Sequence, residues 1–317
     1  MKSVASAPGK VILFGEHFVV YGVKAILCTI DKRITATSQF LDERKIRIKS
    51  RLGNAELNLD MSSNPDSISP RFMKPFLHIA KETLREFNED RGVEIILESD
   101  IPAGIGLGSS SAACVATTAS VAGLFGKKSK EDILKRAIES ERIIFEDVSG
   151  ADSSVSAFGG LITYSKDGIE KIDSKNNLNL IIANSNQIHS TREVVLKVKE
   201  FKKKNEEIFA EMCEQENAII KNSLSAIKED NLTNLGFLMS KNQEMLEKIN
   251  VSTDKLDLLI REASKTSYGA KITGAGGGGC IISLVDESNA ATTLENLRKI
   301  SDCFIAKIDF EGLSYSQ

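Results

Sequence analysis

The most informative segment of this 317-residue chain reads Pro102-Ala103-Gly104-Ile105-Gly106-Leu107-Gly108-Ser109-Ser110-Ser111-Ala112. Its three alternating glycines let the backbone approach an anion without interference from a Cβ atom. The serines open a stretch of small residues, Ser109 to Leu124, which predicts a closely packed helix. Because the first N–H groups of a helix have no partner within it, we predict a phosphate-binding loop at a helix N-terminus. A flexible glycine turn with an ordinary serine cap is the alternative.

Neither of the two common nucleotide-binding motifs is present. A Rossmann fingerprint needs the spacing G-x-G-x-x-G, whereas the glycines of this loop occupy every second position. A P-loop needs a glycine five residues before its G-K-[ST] end. The run Gly126-Lys127-Lys128-Ser129 fails that test, because Val121 occupies the position of the first glycine.

A second polar segment lies near the N-terminus, where Lys10, Glu16 and His17 stand beside glycines that flank an apolar strand. A single lysine or histidine is usually a surface or structural residue. Three such residues in one glycine-bounded segment fit a binding site as well as they fit a structural role.

A third segment, Ser149-Gly150-Ala151-Asp152, precedes a short helical stretch that ends at Gly159-Gly160. Asp152 suits the cap of that helix. It also suits a carboxylate that accepts a proton from a hydroxyl. Taken alone, the pattern favours the cap.

A fourth segment, Thr273-Gly274-Ala275-Gly276-Gly277-Gly278-Gly279, lies between two strand-like runs. So many glycines cost conformational entropy on folding. We therefore expect this backbone to approach either a ligand or a tightly packed neighbour.

The composition describes an ordinary globular protein. Hydrophobic residues make up 41% and charged residues 27%, and the net charge is −3, which argues against a nucleic-acid-binding surface. The five cysteines are scattered and form no metal-binding pattern, so we expect free thiols and a cytoplasmic location. No apolar run approaches the length that spans a membrane, and no targeting segment is evident.

The periodicity predicts an α+β protein with two domains, residues 1–160 and residues 161–317. The first half alternates short strands with helices, including one that starts at Ser129 and continues to about Glu146. The second half is dominated by helical spacing from Thr191 to Thr266. The last predicted strand is Cys303 to Ile308.

Taken together and in this order, Pro8–Lys10, Pro102–Ala112 and Lys271–Gly279 resemble the three signature motifs of the GHMP kinases. That family includes galactokinase, homoserine kinase, mevalonate kinase and phosphomevalonate kinase. Within it, the segment from Gly15 to Gly22 is similar to the G-E-H-x-V-V-x-G of the mevalonate kinases, and Ser149–Asp152 is similar to their S-G-x-D. The chain departs from their longer H-G-x-P-S-G-x-D pattern at residues 145–148.

The resemblance implies a two-domain GHMP kinase fold, with an N-terminal domain like domain 2 of ribosomal protein S5 and a helix-rich, ferredoxin-like C-terminal domain. It also implies ATP and Mg²⁺ as cofactors, and mevalonate as the acceptor, phosphorylated on its 5-hydroxyl in the mevalonate pathway of isoprenoid biosynthesis. A homodimer is common in the family.

The resemblance further implies a role for each motif residue. Asp152 and Lys10 would be catalytic, and Ser110 and Glu141 would hold Mg²⁺. The ATP phosphates would contact Pro102, Gly104, Gly106, Leu107, Gly108, Ser109, Ser110 and Ser111. The acceptor site would consist of Glu16, His17, Ser149, Gly150, Asp152, Thr273, Gly274 and Ala275, with Ser190 and Thr191 as further candidates.

Two other hypotheses stay open at this point. The chain could be a kinase of the same family with a different acceptor, such as phosphomevalonate, homoserine or a sugar; a phosphorylated acceptor would require an additional basic cluster. It could instead be a non-catalytic ligand sensor of the same fold. Such a descendant would be expected to lose Asp152, Lys10 or the serines after Gly108, and the chain keeps all of them.

Overall fold

A computed structural model describes residues 1–60, 70–144, 148–174, 177–187 and 190–316 of the chain. It has two β-sheets with helices packed against them, which confirms the α+β class. None of the helices in these ranges combines the length and the apolar character that crossing a bilayer requires.

The first sheet contains eight strands and carries most of the N-terminal half. Its two longest strands have 13 and 17 residues, and much of each is buried in the core. The path of the sheet is β12-β1-β2-β5-β3-β4, with β6 paired to β2 and β7 paired to β6. The strands are β1 (Lys2–Phe14), β2 (Ala25–Leu41), β3 (Lys45–Ser50), β4 (Gly53–Asn58), β5 (Gly92–Ser99), β6 (Leu161–Ser165), β7 (Gly168–Ile172) and β12 (Ser314–Ser316).

The second sheet contains four antiparallel strands in the order β11-β8-β10-β9. Strands β9 and β10 are buried along their whole length. The strands are β8 (Asn179–Asn184), β9 (Gly269–Thr273), β10 (Cys280–Val285) and β11 (Cys303–Lys307).

Nine α-helices lie in the described ranges. Helix α2 is buried from Ser111 to Ala122, and it packs on β1 and β2, because its alanines, serines and threonines allow close approach on every side. The helices are α1 (Lys74–Glu86), α2 (Ser109–Ala122), α3 (Lys130–Glu141), α4 (Ala151–Phe158), α5 (Thr191–Lys204), α6 (Glu206–Glu229), α7 (Leu232–Lys248), α8 (Asp254–Ala263) and α9 (Ala290–Arg298).

Helix α3 begins where the sequence predicts, since the Ser129 side chain accepts a hydrogen bond from the Asp132 amide. It ends at Glu141, so the predicted continuation to Glu146 is wrong. Arg142 to Ile144 form a turn, and residues 145–147, which include most of the departure from the family pattern, lie outside the described residues.

Strand membership crosses the predicted division at residue 160. The hairpin of β6 and β7 pairs with β2 in the first sheet, and β12 returns from the C-terminus to pair with β1. The guanidinium of Arg33 donates to the Ser6 carbonyl at 3.0 Å and the Ser314 hydroxyl at 3.0 Å, and it pairs with Asp309. The first sheet therefore contains strands from both ends of the chain, and the division into residues 1–160 and 161–317 stays a prediction.

Candidate active site

Strand β1 brings Lys10 against the glycine loop of residues 104–108. The Lys10 amide donates to the Leu107 carbonyl at 2.9 Å, so the strand and the loop share a backbone hydrogen bond. There is no space for a side chain at Gly9, where a Cβ atom would lie 2.9 Å from the Leu107 oxygen. The glycine of the first motif is therefore required by this close approach.

The glycine loop has a backbone that favours glycine. Gly104, Gly106 and Gly108 all have positive φ angles, +75°, +84° and +71°, which glycine adopts without steric cost. Gly108 occupies the cap position of α2, and no described side chain caps this helix end. The first amides of α2 are thus free to bind an anion at the end of the loop.

The three serines after Gly108 have different surroundings. Ser109 is partly exposed and Ser110 is exposed, so both hydroxyls are accessible. Ser111 is buried and donates to Oε1 of Glu141 at 2.5 Å. Ser153, on α4, donates to Oε2 of the same carboxylate at 2.5 Å.

Glu141 therefore joins the start of α2 to α4 from its place at the end of α3. Only 4% of its surface is exposed, and this burial raises the pKa of its carboxyl above the ordinary value, although the two serine hydrogen bonds oppose the shift. Because hydroxyls donate to both oxygens, the carboxylate has a fixed orientation.

Asp152 lies in the first turn of α4, and its Oδ2 atom is 3.2 Å from Nζ of Lys10. Its prediction as a helix cap is wrong, because Gly150 holds the cap position in a left-handed conformation, with φ +82°. The Lys10 side chain is 6% exposed and that of Asp152 is 38% exposed. The ammonium is thus almost enclosed, whereas the carboxylate is open to the adjoining cleft.

The second glycine loop supports the same cleft from the other side. The Thr273 hydroxyl donates to the Ile12 carbonyl at 3.1 Å and accepts from the Ile12 amide at 2.9 Å, which ties β9 to β1. A Cβ atom on Gly276 would lie 2.3 Å from the Val251 oxygen, whereas one on Gly274 would meet nothing within 4 Å. The predicted close packing against a neighbour therefore applies at Gly276, while approach of this loop to a ligand stays a prediction.

His17 reaches this second loop. Its Nε2 atom lies 2.8 Å from the Ala275 carbonyl oxygen, so Nε2 carries the hydrogen and Nδ1 is left as an acceptor in the neutral ring. Burial lowers the pKa of the imidazole below its ordinary value, which favours that neutral ring.

Glu16 is 2% exposed and forms a buried ion pair with Lys271 on β9. Nζ of Lys271 also donates to the Ile272 carbonyl at 2.5 Å. Burial raises the pKa of the Glu16 carboxyl and lowers the pKa of the Lys271 ammonium. Glu16 therefore borders the cleft as the carboxylate of a buried ion pair.

These side chains surround one cleft with a volume of about 590 Å³. The predicted site residues on its walls are Lys10, Glu16, His17, Gly104, Gly106, Leu107, Gly108, Ser109, Ser110, Ser111, Glu141, Ser149, Gly150, Asp152, Thr273, Gly274 and Ala275, together with Thr191. Pro102 is exposed and does not line the cleft. Ser190 caps helix α5, where its hydroxyl accepts from the Glu193 amide at 3.4 Å.

Sequence reasoning missed three polar residues that support the site. Ser153 orients Glu141, Lys271 neutralises Glu16, and Glu216 on α6 accepts from the Gly15 amide at 2.9 Å. For two of them a sequence signal exists: Lys271 interrupts an apolar strand, and Glu216 stands four residues from both Met212 and Ile220 on the buried face of a helix.

The donor set of the cleft suits Mg²⁺ when ATP is present. Across the ranges that the structure describes, no three His, Cys, Asp or Glu side chains form a ligand set for a metal ion. Mg²⁺, however, is commonly bound through one or two protein oxygens together with substrate phosphates. The exposed Ser110 hydroxyl and the Glu141 carboxylate border the same cleft as the glycine loop and supply oxygens of that kind.

Two family models match the chain. The model of the GHMP kinase N-terminal domain matches residues 74–160, and that of the GHMP kinase C-terminal domain matches residues 223–301. The mevalonate kinase of Pyrococcus furiosus is 36% identical over 100% of this chain and 99% of its own length. That of Methanocaldococcus jannaschii is 35% identical over 93% of this chain and 96% of its own.

Solved structures show the same similarity. The crystal structure of the Methanococcus jannaschii mevalonate kinase superposes with a TM-score of 0.87 at 32% identity, covering 96% of this chain and 98% of that one. The L. major mevalonate kinase in complex with R-mevalonate superposes with a TM-score of 0.82 at 22% identity, covering 96% and 95%, which shows the shared fold.

Proposed function

Because this chain belongs to the GHMP kinases and, within them, to the mevalonate kinases, we propose that it transfers the γ-phosphoryl group of ATP to the 5-hydroxyl of mevalonate. The observation that carries the proposal is the contact of Lys10 with Asp152 beside the glycine loop, in the wall of one cleft. The product is 5-phosphomevalonate.

The ATP phosphates bind along residues 104–111 in this proposal. The loop offers unpaired amides at the start of α2 and the accessible hydroxyls of Ser109 and Ser110. The amides and the hydroxyls can both donate hydrogen bonds to phosphate oxygens, and the positive end of the helix dipole also attracts the phosphate charge.

Mg²⁺ would be held by Ser110 and Glu141 together with phosphate oxygens. When bound, Mg²⁺ neutralises charge on the phosphate oxygens and fixes their orientation. The protein's part is to present Glu141 in one orientation, which the hydrogen bonds from Ser111 and Ser153 support.

The transfer step breaks one bond and forms another. The acceptor oxygen bonds to the γ-phosphorus while the bond from that phosphorus to the bridging oxygen of ADP breaks, and the hydroxyl proton passes to the Asp152 carboxylate. A carboxylate is too weak a base to ionise an alcohol beforehand, so the proton moves late, after the phosphoryl group has begun to transfer. Assistance of this kind contributes roughly 10² to 10⁴ in rate.

Lys10 has two parts in this step. Its ammonium, 3.2 Å from Asp152, keeps the carboxylate oriented toward the cleft. It also places a positive charge where negative charge develops on the transferring group, and in an enclosed site an aimed charge is worth several kcal/mol.

The acceptor binds on the side formed by His17, Ser149–Gly150 and the second glycine loop. A neutral His17 leaves Nδ1 as an acceptor for a substrate hydroxyl, because Nε2 is bound to the Ala275 carbonyl. The open space at Gly274 leaves room for a ligand beside Thr273.

A coupled assay of ADP release over a panel of acceptors tests the proposal. Mevalonate, phosphomevalonate, homoserine and galactose are each supplied with MgATP, and the product is identified by ³¹P NMR. We expect kcat/KM for mevalonate to exceed every other value by at least about tenfold, because buried polar groups left without a partner penalise the wrong acceptor. A preference for another acceptor would assign the chain a different kinase activity. Absence of ADP release with every acceptor would favour the ligand sensor.

Three further expectations belong with the proposal. They are the division into domains of residues 1–160 and 161–317, a homodimer, and a cytoplasmic location. Sedimentation velocity of the purified protein tests the dimer. A measured mass near twice that of one chain would support it.

A further inference from the structure

The turn that follows β1 is held by the C-terminal half of the chain at three successive residues. The Gly15 amide donates to Glu216 on α6, Glu16 pairs with Lys271 on β9, and His17 donates to Ala275 in the second glycine loop. Each attachment comes from a different element. The position of this turn, and with it one wall of the cleft, therefore depends on all three.

The backbone of the turn needs such support. Gly15 has φ +96°, and a Cβ atom there would lie 2.6 Å from the Lys24 oxygen. His17 has φ +63° and ψ −39°, a sparsely populated backbone conformation that costs a non-glycine residue roughly 1 kcal/mol or more. Such conformations persist only where surrounding contacts hold them.

Of the three partners, Ala275 lines the cleft, whereas Lys271 and Glu216 do not. The one that bonds to the backbone of the turn from outside the cleft is Glu216. It is fully buried and uses both carboxylate oxygens: Oε1 accepts from Gly15 at 2.9 Å, and Oε2 accepts from Nδ2 of Asn242 on α7 at 2.7 Å. It thus joins two helices of the C-terminal half to the backbone of the turn without access to the substrate.

Resting on the proposed function, we propose that Glu216 is a positioning residue for acceptor binding: it fixes the Gly15–His17 turn against α6 and α7 and so places His17 at the cleft wall. The glycine loop is bonded to β1, and the start of α2 that follows it is bonded to α3, away from this contact. Loss of the Glu216 attachment should therefore affect mevalonate more than ATP.

The charges around Glu216 are consistent with a fixed position. The groups that face it are the Glu16 carboxylate, the Lys271 ammonium and the Cys213 thiol on its own helix. Burial first, and then the charge of Glu16, raise the pKa of Glu216 to about 7. Both protonation states can keep the Gly15 contact, because Oε1 remains a hydrogen-bond acceptor when Oε2 carries the proton.

The test compares three variants of the full chain. Glu216→Gln keeps an acceptor for the Gly15 amide, Glu216→Asp withdraws the carboxylate by one methylene, and Met212→Ala opens a cavity on the same buried face of α6. For Glu216→Asp we expect the KM for mevalonate to rise about tenfold or more while the KM for ATP changes less than about threefold, from the loss of a hydrogen bond to a charged group. For Glu216→Gln, the KM for mevalonate and the KM for ATP should both stay within about threefold of the wild-type values.

Met212→Ala controls for a general loss of stability. It should lower Tm and leave both KM values near those of wild type. Amide hydrogen exchange of a peptide covering residues 13–21 gives a readout without turnover, and exchange should be faster in Glu216→Asp than in Met212→Ala.

A folded Glu216→Asp with an unchanged KM for mevalonate would overturn the inference, and so would equal rises in both KM values matched by Met212→Ala. Failure of the proposed function would be recognised separately, because the wild-type chain would then show no mevalonate-dependent turnover. In that case the exchange measurement still decides whether Glu216 holds the turn.

Discussion

The Nζ atom of Lys10 on β1 lies 3.2 Å from Oδ2 of Asp152 on α4. The contact joins two motifs that are far apart in the sequence, and the ammonium is nearly enclosed while the carboxylate is open to the cleft. Surface ion pairs contribute little to stability. We therefore expect this partly exposed pair to matter for activity, because it places two opposite charges at the cleft.

Replacement of Lys10 by methionine should therefore lower activity much more than stability. Methionine fills similar space, and Asp152 can still be solvated from the cleft. We expect kcat with mevalonate to fall by at least about 10², because a charge aimed at the transferring group is lost. The measurement is steady-state kinetics together with Tm, and Lys24→Met, at a half-exposed lysine paired with Glu170, is the control. A variant that simply unfolds would assign Lys10 a structural role.

The glycine loop offers a matched pair of substitutions. Gly106→Ala and Gly108→Ala both force alanine into a left-handed backbone, at a cost of roughly 1–2 kcal/mol. Only at Gly108 would the new Cβ also collide with Lys10, 2.8 Å from its Cγ atom; at Gly106 nothing lies within 4 Å.

We therefore expect kcat of Gly108→Ala to be at least about tenfold below that of Gly106→Ala, since small displacements of catalytic groups are costly. Steady-state assays of both variants at saturating ATP and mevalonate check this. Equal values of kcat would show that the position of Lys10 does not depend on this contact.

Glu141→Gln tests the predicted metal ligand. The amide keeps the shape of the side chain but removes its charge, so the Mg²⁺ concentration that gives half-maximal rate should rise about tenfold or more. Titration of Mg²⁺ at fixed ATP measures it. Glu139→Gln, at an exposed position on the same helix, is the control and should match wild type. An unchanged Mg²⁺ dependence in Glu141→Gln would leave that carboxylate with the structural role of joining Ser111 to Ser153.

Glu216 should make stability depend on pH in an unusual direction. Its pKa is about 7 in the folded chain against an ordinary value of 4.5, so the folded state binds more protons between these values. The resulting stabilisation is fully present below pH 4.5 and is lost as pH rises through about 7. The expected loss is on the order of 3 kcal/mol.

Urea unfolding of wild type and Glu216→Gln at pH 5 and pH 8 measures this effect. The free energy of unfolding of wild type, minus that of the glutamine variant, should be smaller at pH 8, because glutamine does not titrate. A difference that is the same at both pH values would contradict a raised pKa for Glu216.

The sequence was most informative where a motif fixes the local backbone. Alternating glycines before a run of small residues predict a loop that opens a closely packed helix, and helix α2 begins directly after Gly108 as predicted. The order of the motifs then indicates the family, and the family implies that Lys10 and Asp152 lie together. Periodicity alone does not predict that β1 and α4 are neighbours.

Features that depend on tertiary contacts were not predictable in this way. Strand β12 is only three residues long, and it exists because Arg33 and β1 provide its partners. The capping prediction for Asp152 failed because Gly150, with positive φ, holds the cap position two residues earlier. Lys271 and Glu216 interrupt apolar patterns, but the identity of their partners follows only from the packing of both halves of the chain.

Single-turnover phosphoryl transfer by Asp152→Asn is the most direct test of the account. Enzyme in excess over labelled ATP is mixed with mevalonate and quenched, while equilibrium binding of ATP and of mevalonate is measured on the same variant. We predict a transfer rate at least about 10² below wild type with both dissociation constants little changed, because asparagine cannot accept the hydroxyl proton. Asp167→Asn, in an exposed turn, should transfer at the wild-type rate. Wild-type transfer by Asp152→Asn would contradict the account.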